Sequence, residues 1–85
     1  MVNVIMHGCN GKMGRNIAAL IADDPEITLA AGVDAFDEGK NPFPVFKDIR
    51  DCDMEADVII DFSAAPAVDN LLTYCEEKKV PCVLC

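Results

Sequence analysis

A basic stripe is missing from these 85 residues. Seven Lys and Arg stand against fifteen Asp and Glu, for a formal net charge of −8 and a sequence pI near 4.3. Nothing in that balance can neutralise a nucleic acid's phosphates or an anionic bilayer, so neither is expected as a partner. Long apolar runs are also missing: no stretch approaches the ~20 residues of a membrane span, and Met1 leads into an apolar segment without the basic start of a signal peptide. A cytoplasmic protein is expected. The cysteines, Cys9, Cys52, Cys75, Cys82 and Cys85, are odd in number and irregularly spaced, unlike a secreted disulfide framework, and read as reduced thiols. Cys82 and Cys85 spell C-x-x-C, but residues three apart in a strand point to opposite faces, which disfavours a shared metal or a disulfide. Asp48, Asp51, Asp53, Glu55 and Asp57 are dense without the spacing or the glycine of a calcium loop, and read as a solvated face. No metal site is expected. Repeats, low-complexity tracts and linkers are absent, and a chain this short buries only about 60% of its unfolded surface.

What the chain does have is a glycine turn in an informative context. Val4-Ile5-Met6-His7 is an apolar run that breaks into Gly8-Cys9-Asn10-Gly11-Lys12-Met13-Gly14-Arg15 and restarts with helical periodicity. Gly8 lets the chain leave a buried strand through backbone angles that a side chain forbids. Gly11 lets a pyrophosphate approach the main chain, and Gly14 lets the new helix lie close to the strand. The phosphates then meet amide donors at the positive end of that helix, without a dedicated basic side chain. Asp34 follows Gly14 by twenty residues at the end of a second apolar run, where a ribose-binding carboxylate belongs. The spacing is G-x-x-G-x-x-G rather than the commoner G-x-G-x-x-G, so the context carries the reading. The alternative is a glycine-rich turn that binds nothing.

The rest of the chain supplies that context. Val2 to Met6 reads as a strand buried on both faces. Met13, Ile17, Leu20 and Ile21 fall on one helical stripe that ends at Asp23-Asp24-Pro25, because the residue before proline avoids the helical region. Ile27 to Val33 is the second strand, 34–44 an exposed loop, and Val45-Phe46 a short strand. Val58 to Phe62 is the next buried strand. A helix opens at Pro66, repeats its apolar residues at Val68, Leu71, Leu72 and Cys75, and stops at Val80-Pro81 before a final strand at Val83-Leu84. Strands alternating with helices imply right-handed crossovers and an α/β, Rossmann-like parallel sheet of order 3-2-1-4-5. Ligands bind at the reversal between the first and fourth strands. Gly8 to Met13, Asp34 and Phe62-Ser63 all reach it.

These residues resemble the N-terminal part of the bacterial dihydrodipicolinate reductase (4-hydroxy-tetrahydrodipicolinate reductase) family of lysine and diaminopimelate biosynthesis, over the whole chain. The resemblance rests on Gly8-Cys9-Asn10-Gly11-Lys12-Met13-Gly14-Arg15 for the G-x-x-G-[KR]-M-G signature, on Gly32-Val33-Asp34, and on Asp57-Val58-Ile59-Ile60-Asp61-Phe62-Ser63. It implies an oxidoreductase using NADH or NADPH. It also implies that Gly8, Cys9, Asn10, Gly11, Lys12 and Met13 hold the pyrophosphate and that Asp34 holds the adenosine ribose. Lys12 would lie near a 2′-phosphate, and Phe62 and Ser63 would flank the middle of the cofactor. Ala35 and Phe36 follow Asp34 where some members carry an arginine, which favours NADH slightly. The family's Thr-Thr-Gly turn, histidine-rich segment and catalytic lysine fall beyond Cys85. His7 reads as packed or hydrogen-bonded rather than as an acid.

Residues 1–85 are therefore expected to form an incomplete dinucleotide-binding domain without catalytic residues, the small-molecule substrate being met only in the full-length enzyme. The alternatives are a stand-alone NAD(H)-sensing module and, more weakly, a domain for another nucleotide such as S-adenosylmethionine or a CoA. A final strand with an open edge is an invitation to pair, so self-association is expected. Sedimentation velocity should show a weight-average mass that rises with concentration, and a monomer throughout would contradict this.

Overall fold

The computed structural model describes residues 2–35, 39, 41–62 and 65–84, with the side chains of 65–67 excepted. Strand β1 (Val2–His7) leads into helix α1 (Lys12–Ala22), followed by β2 (Ile27–Val33), β3 (Val45–Phe46), a 3₁₀ turn at Ile49–Asp51, β4 (Val58–Asp61), α2 (Ala65–Lys78) and β5 (Cys82–Leu84). The five strands form one parallel sheet in the order β3-β2-β1-β4-β5. This is the order expected from the alternation of strands and helices. β1 lies in the middle, paired with β2 on one side and β4 on the other, with a register irregularity against β2 between Val4 and Ile5.

Alternation along β1 divides the core in two. Val4 and Met6 pack with Cys9 and Ile21 on the α1 face. Ile5 packs with Ala31, Val33, Ile49, Cys52, Ile59, Leu71, Tyr74 and Cys75 on the α2 face. Met6, Ala31, Ile49, Ile59 and Leu71 have no measurable exposure, so this small domain closes its centre completely.

The helical stripes differ from those expected. On α1 only Gly14 and Ile21 are buried, Ile17 is half-buried, and Met13 and Leu20 are 55% and 67% exposed. Successive helical residues turn by about 100°, so a helix drawn onto the sheet at Gly14 faces it with positions 14, 17, 18 and 21, and carries 13 and 20 to the flank. Close approach at a glycine outweighed hydrophobicity in setting the axis. On α2, Leu71, Tyr74 and Cys75 are buried while Leu72 is 41% exposed. Tyr74 takes the inward place expected of Leu72 because the 3₁₀ turn packs beside it, with the Arg50 guanidinium 5.9 Å from the ring centroid.

The acids Asp48, Asp51, Asp53, Glu55 and Asp57 are all exposed, as the solvated-face reading expects, and the first two belong to that 3₁₀ turn. Asp48 caps it, accepting from the Arg50 amide at 2.9 Å, and also accepts from Asn70 Nδ2 of α2 at 2.8 Å. The backbone bond from Arg50, then the Asn70 bond, hold the Asp48 carboxyl below its ordinary range. Arg50 pairs with Glu77 on the surface, and Asp57 accepts from the Asn3 amide at 2.8 Å. Among the described residues no His, Cys, Asp and Glu side chains cluster as a metal site, and no helix is long and apolar enough to cross a membrane.

Helix α2 ends with a non-glycine residue in the left-handed region, Lys79 at φ 56°, and the Val80 amide closes back onto the Cys75 carbonyl at 3.0 Å. This is the helix-ending turn that glycine ordinarily makes, and a side chain there costs about 1 kcal/mol. Lys79→Gly should therefore raise stability by about 0.5–1 kcal/mol, seen as a higher urea midpoint at unchanged slope. A lower midpoint would mean that the lysine side chain contributes more than its backbone strain costs.

Candidate functional site

The turn after β1 consumes its own donors. Gly8 has φ 85°, which turns the chain so that the amides of Gly8 and Cys9 both donate to the Val33 carbonyl, at 2.6 and 3.3 Å. The Gly11 amide donates to the Gly8 carbonyl at 3.3 Å, and the Asn10 amide donates to Asp34 Oδ2 at 3.0 Å. Four amides are thereby engaged within the protein. The next three, Lys12 to Gly14, belong to the first turn of α1, whose amides have no partner inside the helix. Gly11 is the N-cap, no side chain caps the helix, and its first turn carries no acid. The donors and the positive end of the helix dipole therefore suit an anion.

The two later glycines of the turn have different reasons to be there. A Cβ on Gly14 would stand 2.4 Å from the Gly8 carbonyl oxygen and 3.0 Å from Cys9 Cα, so Gly14 is required for the helix to meet the strand. A Cβ on Gly11 would meet only the Gly8 carbonyl oxygen, at an ordinary 3.5 Å. The fold has room for a side chain at Gly11, and the sequence leaves that room open. Gly32 forms a second close contact: a Cβ there would lie 2.5 Å from Cys9 Sγ and 2.7 Å from Phe43. Cys9 is accordingly 1% exposed, with its side chain in the core and only its backbone in the turn.

Asp34 stands half-buried just past β2. Its amide donates to the Phe46 carbonyl at 2.9 Å, and its carboxylate reaches across to Asn10. Two further residues gather on Asn10 that sequence reasoning did not single out. Asn41 Nδ2 donates to Asn10 Oδ1 at 2.7 Å, and Arg15 Nε donates to the Asn10 carbonyl at 3.0 Å. Arg15 had a signal, lying four residues after the N-cap; Asn41, in a loop rich in turn formers, had none. Lys12 and Met13 are exposed at the head of α1. Phe62 is half-buried on the α1 face, its amide donating to the His7 carbonyl at 2.9 Å. Ser63 lies outside the described residues. The structure thus brings the glycine turn, Asp34 and Phe62 to the C-terminal ends of β1, β2 and β4, at the point where the strand order reverses.

Beside this crevice His7 Nδ1 donates to Asp61 Oδ1 at 2.9 Å, and the two residues are 4% and 2% exposed. His7 is hydrogen-bonded, as its place in the strand implied. At the opposite end of the sheet a cavity of about 540 Å³ opens among Asn3, Cys52, Asp57, Tyr74 and Lys78. It holds no glycine turn or helix N-terminus, and burial pushes the Cys52 thiol and the Tyr74 hydroxyl up, away from their reactive forms. Burial likewise pushes the Cys75 thiol up to about 11, with neighbouring Cys82 adding to the effect. Cys9, Cys52, Cys75 and Cys82 form no disulfide among the described residues, and Cys85 lies outside them.

The glycine geometry separates packing from function. Gly14→Ala should cost about 2 kcal/mol or more, because backbone must move to admit it, whereas Gly11→Ala should cost under about 1 kcal/mol, the scale of an N-cap change. Urea unfolding of the two variants tests this; equal losses would contradict the distinction.

Comparison with known proteins agrees with this geometry. The family model described as "Dihydrodipicolinate reductase, N-terminus" matches residues 2–85. The 4-hydroxy-tetrahydrodipicolinate reductases of Clostridium tetani and Clostridium novyi are 45% and 40% identical over 85 residues, covering 100% of this chain and 33% and 34% of theirs. That of Caldanaerobacter subterraneus subsp. tengcongensis is 43% identical over 88 residues, covering 99% of this chain and 33% of its own. The chain thus spans about a third of the length of these relatives. Among solved structures, dipicolinate-bound dihydrodipicolinate reductase from Paenisporosarcina sp. TG-14 superposes with a TM-score of 0.84 at 23% identity, over 99% of this chain and 37% of that one, which shows a common fold. The sheet order, the glycine turn and the match over nearly every residue place this chain in the family of dihydrodipicolinate reductase N-terminal domains.

Proposed function

We propose that this chain is the dinucleotide-binding part of an NAD(P)H-dependent reductase that delivers hydride to an unsaturated cyclic dicarboxylate, dihydrodipicolinate or its hydroxylated precursor, in lysine and diaminopimelate biosynthesis. The observation that carries the reading is the unfilled space at Gly11 beside an uncapped helix N-terminus. Packing explains Gly14 and backbone angle explains Gly8, but Gly11 is explained by a ligand that must come close to the main chain. The nicotinamide ring, when bound, supplies the hydride.

The chain's own residues bind and orient. The amides of Lys12, Met13 and Gly14 receive the pyrophosphate, with Gly8 and Gly11 giving it access. Asn10, held by Asp34, Asn41 and Arg15, fixes the shape of the turn before the ligand arrives. Asp34 accepts from the adenosine ribose hydroxyls, and Phe62 with Ser63 borders the path toward the nicotinamide. Asp34 repels a 2′-phosphate and no arginine follows it, so NADH binds at least as well as NADPH. Lys12 blurs the preference to about 1 kcal/mol, the scale of an exposed charge pair. These residues include no group poised to protonate the substrate, so turnover is not expected of them alone.

Titration calorimetry with NADH tests the reading. Gly11→Val should abolish binding while circular dichroism stays unchanged, and retained affinity would place the ligand elsewhere. Asp34→Asn keeps an acceptor for Asn10 and for the ribose but removes the charge. It should shift the NADH-to-NADPH affinity ratio toward NADPH about fivefold, the equivalent of about 1 kcal/mol, and an unchanged ratio would make Asp34 a brace of the turn only.

A further inference from the structure

The buried pair His7 and Asp61 has no part in the binding described above, yet it sits where a charge matters. His7 is the last residue of β1 and immediately precedes Gly8; Asp61 ends β4 and immediately precedes Phe62. They are register partners on adjacent strands, and their side chains meet at 2.9 Å with both residues nearly fully buried. Burying an aspartate close to a site that receives a pyrophosphate is electrostatically unfavourable unless something offsets it. The groups around His7 make the imbalance larger. β4 brings Asp61, α2 brings Cys75, whose thiol is pushed up by burial and Cys82 with Asp61 adding least, and Asp48 stands exposed before the 3₁₀ turn. β2 pairs Val33 with His7 and continues to Asp34. Every other titratable group in this set is an acid or a thiol. His7 alone among them can carry positive charge, the nearby cations Lys12 and Arg15 standing exposed on α1.

We propose that His7, held by Asp61, is a proton-linked positioning residue of the dinucleotide site: its protonation strengthens binding of the pyrophosphate, and the bound pyrophosphate strengthens its hold on the proton. This rests on the dinucleotide reading. With His7 neutral, its Nδ1 proton satisfies the Asp61 carboxylate and the pair carries one negative charge. With His7 protonated the pair is neutral, the hydrogen bond survives, and the field at the head of α1 becomes more favourable to an anion. The coupling is reciprocal by thermodynamic necessity. It acts between adjoining segments of one rigid sheet end, because the His7 carbonyl accepts from Phe62 and the next residue begins the glycine turn.

The chain has one histidine, so its imidazole gives one set of NMR signals, and these can be followed across the pH range in which the protein stays folded, with and without saturating NADH. Bound NADH should raise the titration midpoint by about half a pH unit, and calorimetric affinity for NADH should rise about threefold from the alkaline to the acid end of the range. In His7→Gln that dependence should flatten; should this variant fail to fold, the wild-type imidazole titration decides by itself. NADH-induced shifts at the amides of Lys12 to Gly14 with an unmoved midpoint would make the pair a strut between β1 and β4 and overturn the inference. No shifts at those amides would overturn the proposed function, and the inference with it.

Discussion

The contact between the Gly14 backbone and the Gly8 carbonyl is the constraint on which the rest of this structure depends. A Cβ at position 14 would stand only 2.4 Å from that oxygen, so the helix can start in this place without moving backbone only if position 14 has no side chain. Once it does, three consequences follow from geometry. The axis of α1 is drawn toward β1, so Ile21 enters the core while Met13 and Leu20 are left at the surface. The first turn of the helix is aimed across the C-terminal ends of the strands. The intervening turn is compressed, so that its amides find partners in Val33, Asp34 and Gly8, and the donors left for a ligand are those of the helix itself.

The proposed phosphate site has Asp34 and the buried Asp61 close by and draws on main-chain amides rather than on a cluster of Lys and Arg. A backbone-amide cradle makes this workable, because fixed dipoles need not be reorganised or held in place at the cost of side-chain entropy. Asp34 shows how one carboxylate serves two ends. Its bond to the Asn10 amide shapes the turn, and its position past β2 suits a ribose. Asn41 and Arg15 close on the same asparagine from the loop and from α1, so three elements fix one residue of the turn.

Much of this was legible in the sequence because glycines and short apolar runs between helical stripes report backbone geometry directly. The order of the five strands, the short β3 at Val45-Phe46 and the turn at Gly8 to Gly14 could all be read from spacing. The inward residues of the helices could not, for a physical reason in each case. A hydrophobic stripe locates a helix face only to within a residue or two, and in α1 a glycine contact decided the angle. In α2 the decision was made by a 3₁₀ turn inside an acidic stretch whose acids are solvated as expected, but whose Asp48 also caps the turn and reaches Asn70. The grip of Asn41 on Asn10 spans 31 residues and leaves no local trace. The pairing of His7 with Asp61 spans 54; each residue was visible, but their meeting depends on β1 and β4 being neighbours.

The central claim is that the first turn of α1 is where the ligand's phosphates bind. A crystal structure of the chain with NADH tests it most directly. The account predicts pyrophosphate oxygens at hydrogen-bond distance, about 3 Å, from the amide nitrogens of Lys12, Met13 and Gly14, with the backbone of Gly11 in contact with the phosphate. A pyrophosphate found elsewhere, such as in the cavity beside Cys52, Tyr74 and Lys78, would contradict it.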